Sequence, residues 1–194
     1  MRIHITGGSG SGTTTLGREL AAHLGFAHFD GDDYYWLPTS PPFQKKRDAA
    51  ARLAAVLADL QAVPNAVFSG SIVGWGPELE DGFDLIVFLY LPAQTRVERL
   101  RKREVERFGA ADPDFLQWAA QYDEGPSEGR SLAKHNSWLA ARRCPCLRLE
   151  SDISVADRIR LVVQALSNLS VNADAHGRPA AGASSLGGRR LLQR

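Results

Sequence analysis

The chain has 194 residues, of which 44% are hydrophobic and 23% charged, and its 23 Lys and Arg nearly balance 22 Asp and Glu for a net charge of +1. That length suits one domain with a short appendage and a core that needs no disulfide or metal. The composition excludes collagen, a coiled coil and wholesale disorder. The near-zero charge excludes the strong positive field of a nucleic-acid binder, so no nucleic-acid partner is expected.

In chain order, the pattern predicts a strand at 2–6, a Gly-rich loop, and a helix over 14–24 with Leu16, Leu20 and Leu24 at helical spacing and a stop at Gly25. A short strand follows at 26–29. An Ala- and Leu-rich helix over 46–62 ends before Pro64, and strands follow at 66–69 and 84–91. A charged amphipathic helix spans 93–108, a further helix 127–143 and a last strand 146–149. The helix at 155–169 carries Val155, Ile159, Val162, Val163 and Leu166 on one face. Strands alternating with long helices imply βαβ units, a parallel sheet and helices on both of its faces. The domain is expected over 1–170. The stretch 171–194 is rich in Gly, Ala and Ser without apolar period, carries four arginines against one aspartate, and reads as a disordered tail.

Cys144 and Cys146 are spaced too tightly for a zinc knuckle and lack a second ligand pair, so they read as small hydrophobes beside a strand. The longest clean apolar run, 85–91, falls far short of the ~20 residues that cross a bilayer. No charged-then-apolar leader opens the chain. A cytoplasmic protein without a membrane partner is expected.

The most informative segment runs Gly7-Gly8-Ser9-Gly10-Ser11-Gly12-Thr13-Thr14-Thr15, between a strand and a helix. Glycines let successive N–H groups turn inward, and a helix N-terminus adds a favourable dipole, so the segment suits phosphate. Gly7 and Gly12 have the Walker A spacing, and Thr14 falls where that motif's hydroxyl holds Mg²⁺. Thr13 stands at the lysine position. It donates a hydrogen bond but brings no charge. Either another basic group substitutes for it, or phosphoryl transfer is slow or absent. A flexible linker is the alternative, but a linker between a strand and a helix so near Met1 has little to join.

Here the chain resembles the small P-loop kinases, adenylate kinase and shikimate kinase among them. The resemblance spans about 1–170 in layout and rests on few specific motifs. It implies a three-layer α/β/α fold with a five-stranded parallel sheet in the order 2-3-1-4-5, a lid at about 108–130, and ATP and Mg²⁺ as cofactors. Phe29-Asp30-Gly31-Asp32-Asp33 is similar to the Asp-x-Asp of shikimate-type kinases. By that resemblance Asp30 lies near Mg²⁺ with Thr14, and Asp32 grips the acceptor; an Asp/Gly-rich turn is the alternative. Arg99-Leu100-Arg101-Lys102-Arg103 is similar to the passage that starts a lid in nucleoside monophosphate kinases. The resemblance implies that Arg99 stacks near the adenine and Arg103 reaches phosphate, and a salt-bridged solvent face is the alternative. Arg130 and Lys134, after the lid, are the candidates for the charge that Thr13 lacks. The exit 68–76 is where such kinases receive the acceptor, with Tyr34, Tyr35, Trp36 and Trp75 as candidate walls or plain packing.

No guanine-reading motif, nucleophile elbow or dinucleotide fingerprint is present. The resemblance implies an ATP-dependent phosphotransferase acting on a small-molecule acceptor. Its site is Asp30, Asp32, Arg103 and Arg130 with the loop Gly7–Thr15 and Arg99. Its partners are a nucleotide and that acceptor. A nucleotide-binding module with little or no catalysis is the second reading, and a hydrolase with water as acceptor the third.

Overall fold

The central strand β1 (Arg2–Gly7) explains the architecture. Ile3, His4, Ile5 and Thr6 point alternately to opposite faces, yet all are fully buried, so both faces of the sheet must be covered. The computed structural model describes residues 1–125 and 129–175. The other strands are β2 (Ala27–Asp30), β3 (Ala66–Ser69), β4 (Leu85–Leu89) and β5 (Cys146–Leu149). All five pair in parallel in the order β2-β3-β1-β4-β5. β1 runs beside β3 from Arg2↔Ala66 to Ile5↔Ser69, and beside β4 from Ile3↔Leu85 to Gly7↔Leu89.

One face is covered by α1 (Thr13–Leu24) and α8 (Val155–Ala175), whose Leu16, Leu20 and Val162 pack on Ile3, Ile5, Val67 and Val87. α2 (Gly31–Tyr35) follows β2. The opposite face takes α3 (Ala49–Gln61), α4 (Pro77–Glu80) and, further along, α7 (Leu132–Ala140). There Val56, Leu60, Leu79 and Trp138 meet Phe68, Ile86 and Phe88. α5 (Ala93–Phe108) and α6 (Pro113–Ala120) pack on each other through Leu100, Leu116 and Ala119. The three-layer α/β/α fold and strand order agree with the expectation from sequence.

The differences have local causes. Asp30 ends β2 and caps α2 by accepting from the Asp32 N–H at 3.0 Å, so the expected acidic turn is a short helix. α3 begins at Ala49 rather than 46, because the Asp48 side chain caps it and a Trp36–Lys46 bridge holds the preceding chain. α7 is shorter than 127–143. Ser131 caps it at the Lys134 N–H, and 126–128 lie outside the described residues. α8 continues to Ala175, past the expected boundary at 170, and the rest of the expected tail, 176–194, lies outside the described residues. Cys146 is exposed, because β5 is an edge strand, and both cysteines are free thiols. Among the described residues no helix is long and apolar enough to cross a membrane.

Candidate functional site

Because β1, β2 and β3 are adjacent and parallel, their C-terminal ends share one edge of the sheet, and the glycine loop follows the end of β1 there. Gly7 lies so close to β4 that a Cβ there would sit 2.3 Å from the Leu89 carbonyl oxygen. Gly10 (φ 86°) and Gly12 (φ 96°) occupy the left-handed region, and a Cβ on Gly10 would lie 2.5 Å from the Arg96 oxygen. The Ser11 N–H donates back to Gly8 at 3.1 Å, so the loop is curled. α1 has Gly12 as its N-cap with no side-chain cap. The first-turn N–H groups of Thr13, Thr14 and Thr15 therefore have no intrahelical acceptor, and they add to the positive end of the helix dipole. An anion of phosphate size fits this cradle.

A cavity of about 310 Å³ above the loop is lined by Gly10, Gly12, Thr13, Thr14, Arg99 and Arg103. A second, of about 460 Å³, lies between Thr15, Arg99, Asp152, Val155 and Arg158. Arg99 borders both and pairs with Asp152 at 2.5 Å. Arg103 also touches Glu104 at 3.1 Å. Across the crevice, Asp30 accepts from Ser69 Oγ at 3.2 Å, and His28 holds the same hydroxyl at 2.9 Å. Asp32 has its carboxyl pushed up by burial and by the neighbouring Asp30, while Arg130 and Arg103 pull it down. That opposition puts both arginines within electrostatic reach of Asp32. Arg130 lies 5.6 Å over the Trp118 ring, whereas Lys134 turns to the Gly129 carbonyl at 2.8 Å.

Three arginines that sequence reasoning passed over or did not single out are buried. Arg96, fully buried, donates to the carbonyls of Leu91 (2.9 Å), Ala119 (3.0 Å) and Ser9 (3.3 Å), pairs with Asp123 at 3.3 Å and lies 4.8 Å over Tyr122. Arg158 donates to Ser11 O at 3.0 Å and Ser151 O at 3.2 Å, tying the glycine loop to the loop after β5; its Nε has no partner. Arg52 lies 4.2 Å over Trp75 and 5.1 Å over Tyr35, its Nε likewise without a partner. Each sits on the buried stripe of its helix: Arg52 with Val56 and Leu60, Arg96 with Leu100, Arg158 with Val155 and Val162. A cation at a core position was the available signal.

The loop after β3 forms the far wall. Glu80 Oε1 accepts from the N–H groups of Trp75 (2.9 Å) and Gly76 (3.2 Å), and its Oε2 accepts from Trp138 Nε1 at 2.7 Å. Of the aromatics expected there, Trp75 and Tyr35 stack 6.2 Å apart and Trp36 meets Phe43. Tyr34 instead belongs to the core, stacked on Phe68, with its hydroxyl donated to Asp59 at 2.7 Å. Among the described residues no group of three or more His, Cys, Asp or Glu is placed to hold a metal.

A parallel sheet in this order, with a glycine loop between its central strand and first helix, defines a P-loop protein of kinase-like fold. Residues 3–112 match the family described as AAA domain, and the chain belongs to that family. The uncharacterized protein YqaC of Bacillus subtilis strain 168 is 42% identical over 176 residues, which cover 86% of this chain and 97% of that protein. A cytidylate kinase of Pyrococcus furiosus is 32% identical over 112 residues, 53% of this chain and 57% of that enzyme. Among solved structures, a gluconokinase from Sinorhizobium meliloti 1021 superposes with a TM-score of 0.57 at 19% identity, over 91% of this chain and 97% of that one.

Proposed function

We propose that the chain is an ATP-dependent phosphotransferase that acts on a small anionic acceptor. The observation that carries this reading is the charge arrangement around the glycine loop. Arg103 lines the same cavity as Thr13 and Thr14, and Arg103 and Arg130 both act on Asp32. Backbone N–H groups from Gly7 to Thr15 cradle the nucleotide phosphates, and Arg99 flanks the base. Thr14 and Asp30 are the residues that would hold Mg²⁺, with few protein ligands because phosphate oxygens and water supply the rest. When bound, the metal neutralises charge on the transferring group. Asp32 orients the acceptor hydroxyl and, in its ionised form, takes its proton; the burial and the Asp30 charge that push its carboxyl up make that carboxylate a stronger base. Arg103 and Arg130 supply the positive charge that a lysine at Thr13 would have brought, and their planar forks suit phosphoryl oxygens.

Arg52 gives the acceptor its class. A guanidinium resting on two ring faces, without an ion pair among the described residues, favours a phosphate or carboxylate on the incoming molecule.

The test is ATP turnover with CMP, AMP, gluconate and shikimate offered in turn, beside calorimetric ATP binding. Turnover that requires one of the four, and that falls about a hundredfold in Arg103→Ala or Arg130→Ala, supports the reading. A specific observation also favours a second reading: with Thr13 at the lysine position, the chain binds nucleotide without transfer. ATP binding without turnover, and turnover gained in Thr13→Lys, would establish that one instead.

A further inference from the structure

Three polar side chains form a chain that the phosphotransfer reading does not use. Ser71 Oγ lies 3.0 Å from His135 Nε2, and Tyr122 Oη lies 2.6 Å from His135 Nδ1. His135 is fully buried and Tyr122 is 3% exposed, while Ser71 is only partly covered. Each comes from a different part of the fold. Tyr122 follows α6 and lies against the glycine loop, where a Cβ on Gly8 would be 3.0 Å from its ring. His135 is on α7. Ser71 follows Gly70, whose own Cβ position lies 3.9 Å from Asp30 Oδ1.

The proton positions follow from donor and acceptor supply. Burial holds the Tyr122 hydroxyl in its protonated form and drives the imidazole pKa down to about 3, so the ring is neutral and carries a single N–H. If that N–H were on Nδ1, it would donate to Tyr122, and the buried phenolic proton would have no second acceptor among the described residues. An orphaned buried donor is costly. With the N–H on Nε2, the phenol donates to Nδ1 and Nε2–H donates to Ser71 Oγ, so every buried group is satisfied. Ser71, partly exposed and with no other side-chain hydrogen bond among the described residues, then has its own proton to give.

We infer that Tyr122 and His135 leave the Ser71 hydroxyl proton free to donate in the acceptor site, where the other tautomer of His135 would draw that proton to its own Nε2. Ser71 thereby favours a molecule that presents an acceptor oxygen, such as a carboxylate, phosphoryl or carbonyl, at that point. This rests on the phosphotransferase reading for its substrate but not for its geometry. Ser71 is the residue that touches the acceptor; His135 and Tyr122 are positioning residues.

The first measurement needs no substrate. In ¹⁵N-labelled full-length protein at pH 7, imidazole NMR should show the Nε2–H tautomer for His135, and Tyr122→Phe should abolish that exclusive preference. An Nδ1–H tautomer or an imidazolium would overturn the inference. The second measurement is steady-state kinetics of Ser71→Ala with ATP and CMP, AMP, gluconate or shikimate. For the compound phosphorylated, acceptor KM should rise about tenfold, the loss of one donated hydrogen bond, with kcat and the ATP KM unchanged. Ser71→Thr, which keeps the hydroxyl, should restore it. An unchanged acceptor KM in Ser71→Ala defeats the inference. If none of the four is phosphorylated, the phosphotransferase reading fails separately, and the tautomer alone decides the donor chain.

Discussion

The glycine loop and the wall across the crevice from it are built on opposite plans. The loop is main chain: consecutive residues from Gly7 to Thr15 supply its N–H groups, and its shape depends on glycines at close approaches and left-handed φ. The far wall is side chain. Glu80, Trp75, Arg52, Tyr35, Ser71 and His135 come from five separate segments and meet only in the folded molecule. A main-chain site is written locally and tolerates one kind of residue. A side-chain site is distributed, and it can change its occupant one residue at a time. The first suits an anion common to many reactions, and the second suits the molecule that distinguishes them.

The comparison breaks hardest at Arg96, a side chain on which the main-chain loop depends, because it ties Ser9 of the loop to Ala119 of α6. Arg96→Met should cost about 3 kcal/mol or more in chemical denaturation, since the buried carbonyls of Leu91 and Ala119, the half-buried Ser9 carbonyl and Asp123 lose their donor. Next comes Gly10→Ala, whose Cβ has no room against Arg96 O. It should weaken ATP binding by about a hundredfold in calorimetry while leaving the far wall's tryptophan fluorescence unchanged, at a stability cost of roughly 2 kcal/mol. A smaller effect should come from acid. His4, held to about 4, and His135, held to about 3, are neutral when folded but have an ordinary imidazole pKa when unfolded. The unfolded chain therefore binds more protons below pH 6.5. Each histidine should lower stability by up to about 1.4 kcal/mol per unit as pH falls from there toward its folded value, and add nothing above it. Denaturation midpoints between pH 4.5 and 7.5 check this, and a flat profile would mean that neither ring is held neutral. Smallest is Asp152→Asn at the exposed Arg99 pair, expected to change stability by less than about 1 kcal/mol.

The same contrast explains what could be read from the sequence. The parallel sheet with its layers and the glycine loop were legible, because periodicity and a contiguous Gly pattern carry them, whereas the strand order came only from the resemblance to P-loop kinases. Asp30 was legible as a carboxylate at a strand end, but its capping of α2 was not, since an acidic Asp-Gly stretch suits a turn as well as a first helical turn. Arg158 could not be tied to Ser11, 147 residues away, although its place on the stripe with Val155 and Val162 marked it as out of keeping with a solvent face. Ser71, His135 and Tyr122 are each commonplace in isolation. Only the crossing of α7 under the loop after β3 gives them a direction.

Glu80 gives the far wall one more property. Its carboxylate fastens the backbone at Trp75 and Gly76 to the indole of Trp138, and so to the helix that bears His135. Loop and helix are thereby a single mould rather than two adjustable surfaces. A molecule that meets this wall must match a fixed outline, and discrimination among candidates of similar charge then falls to shape.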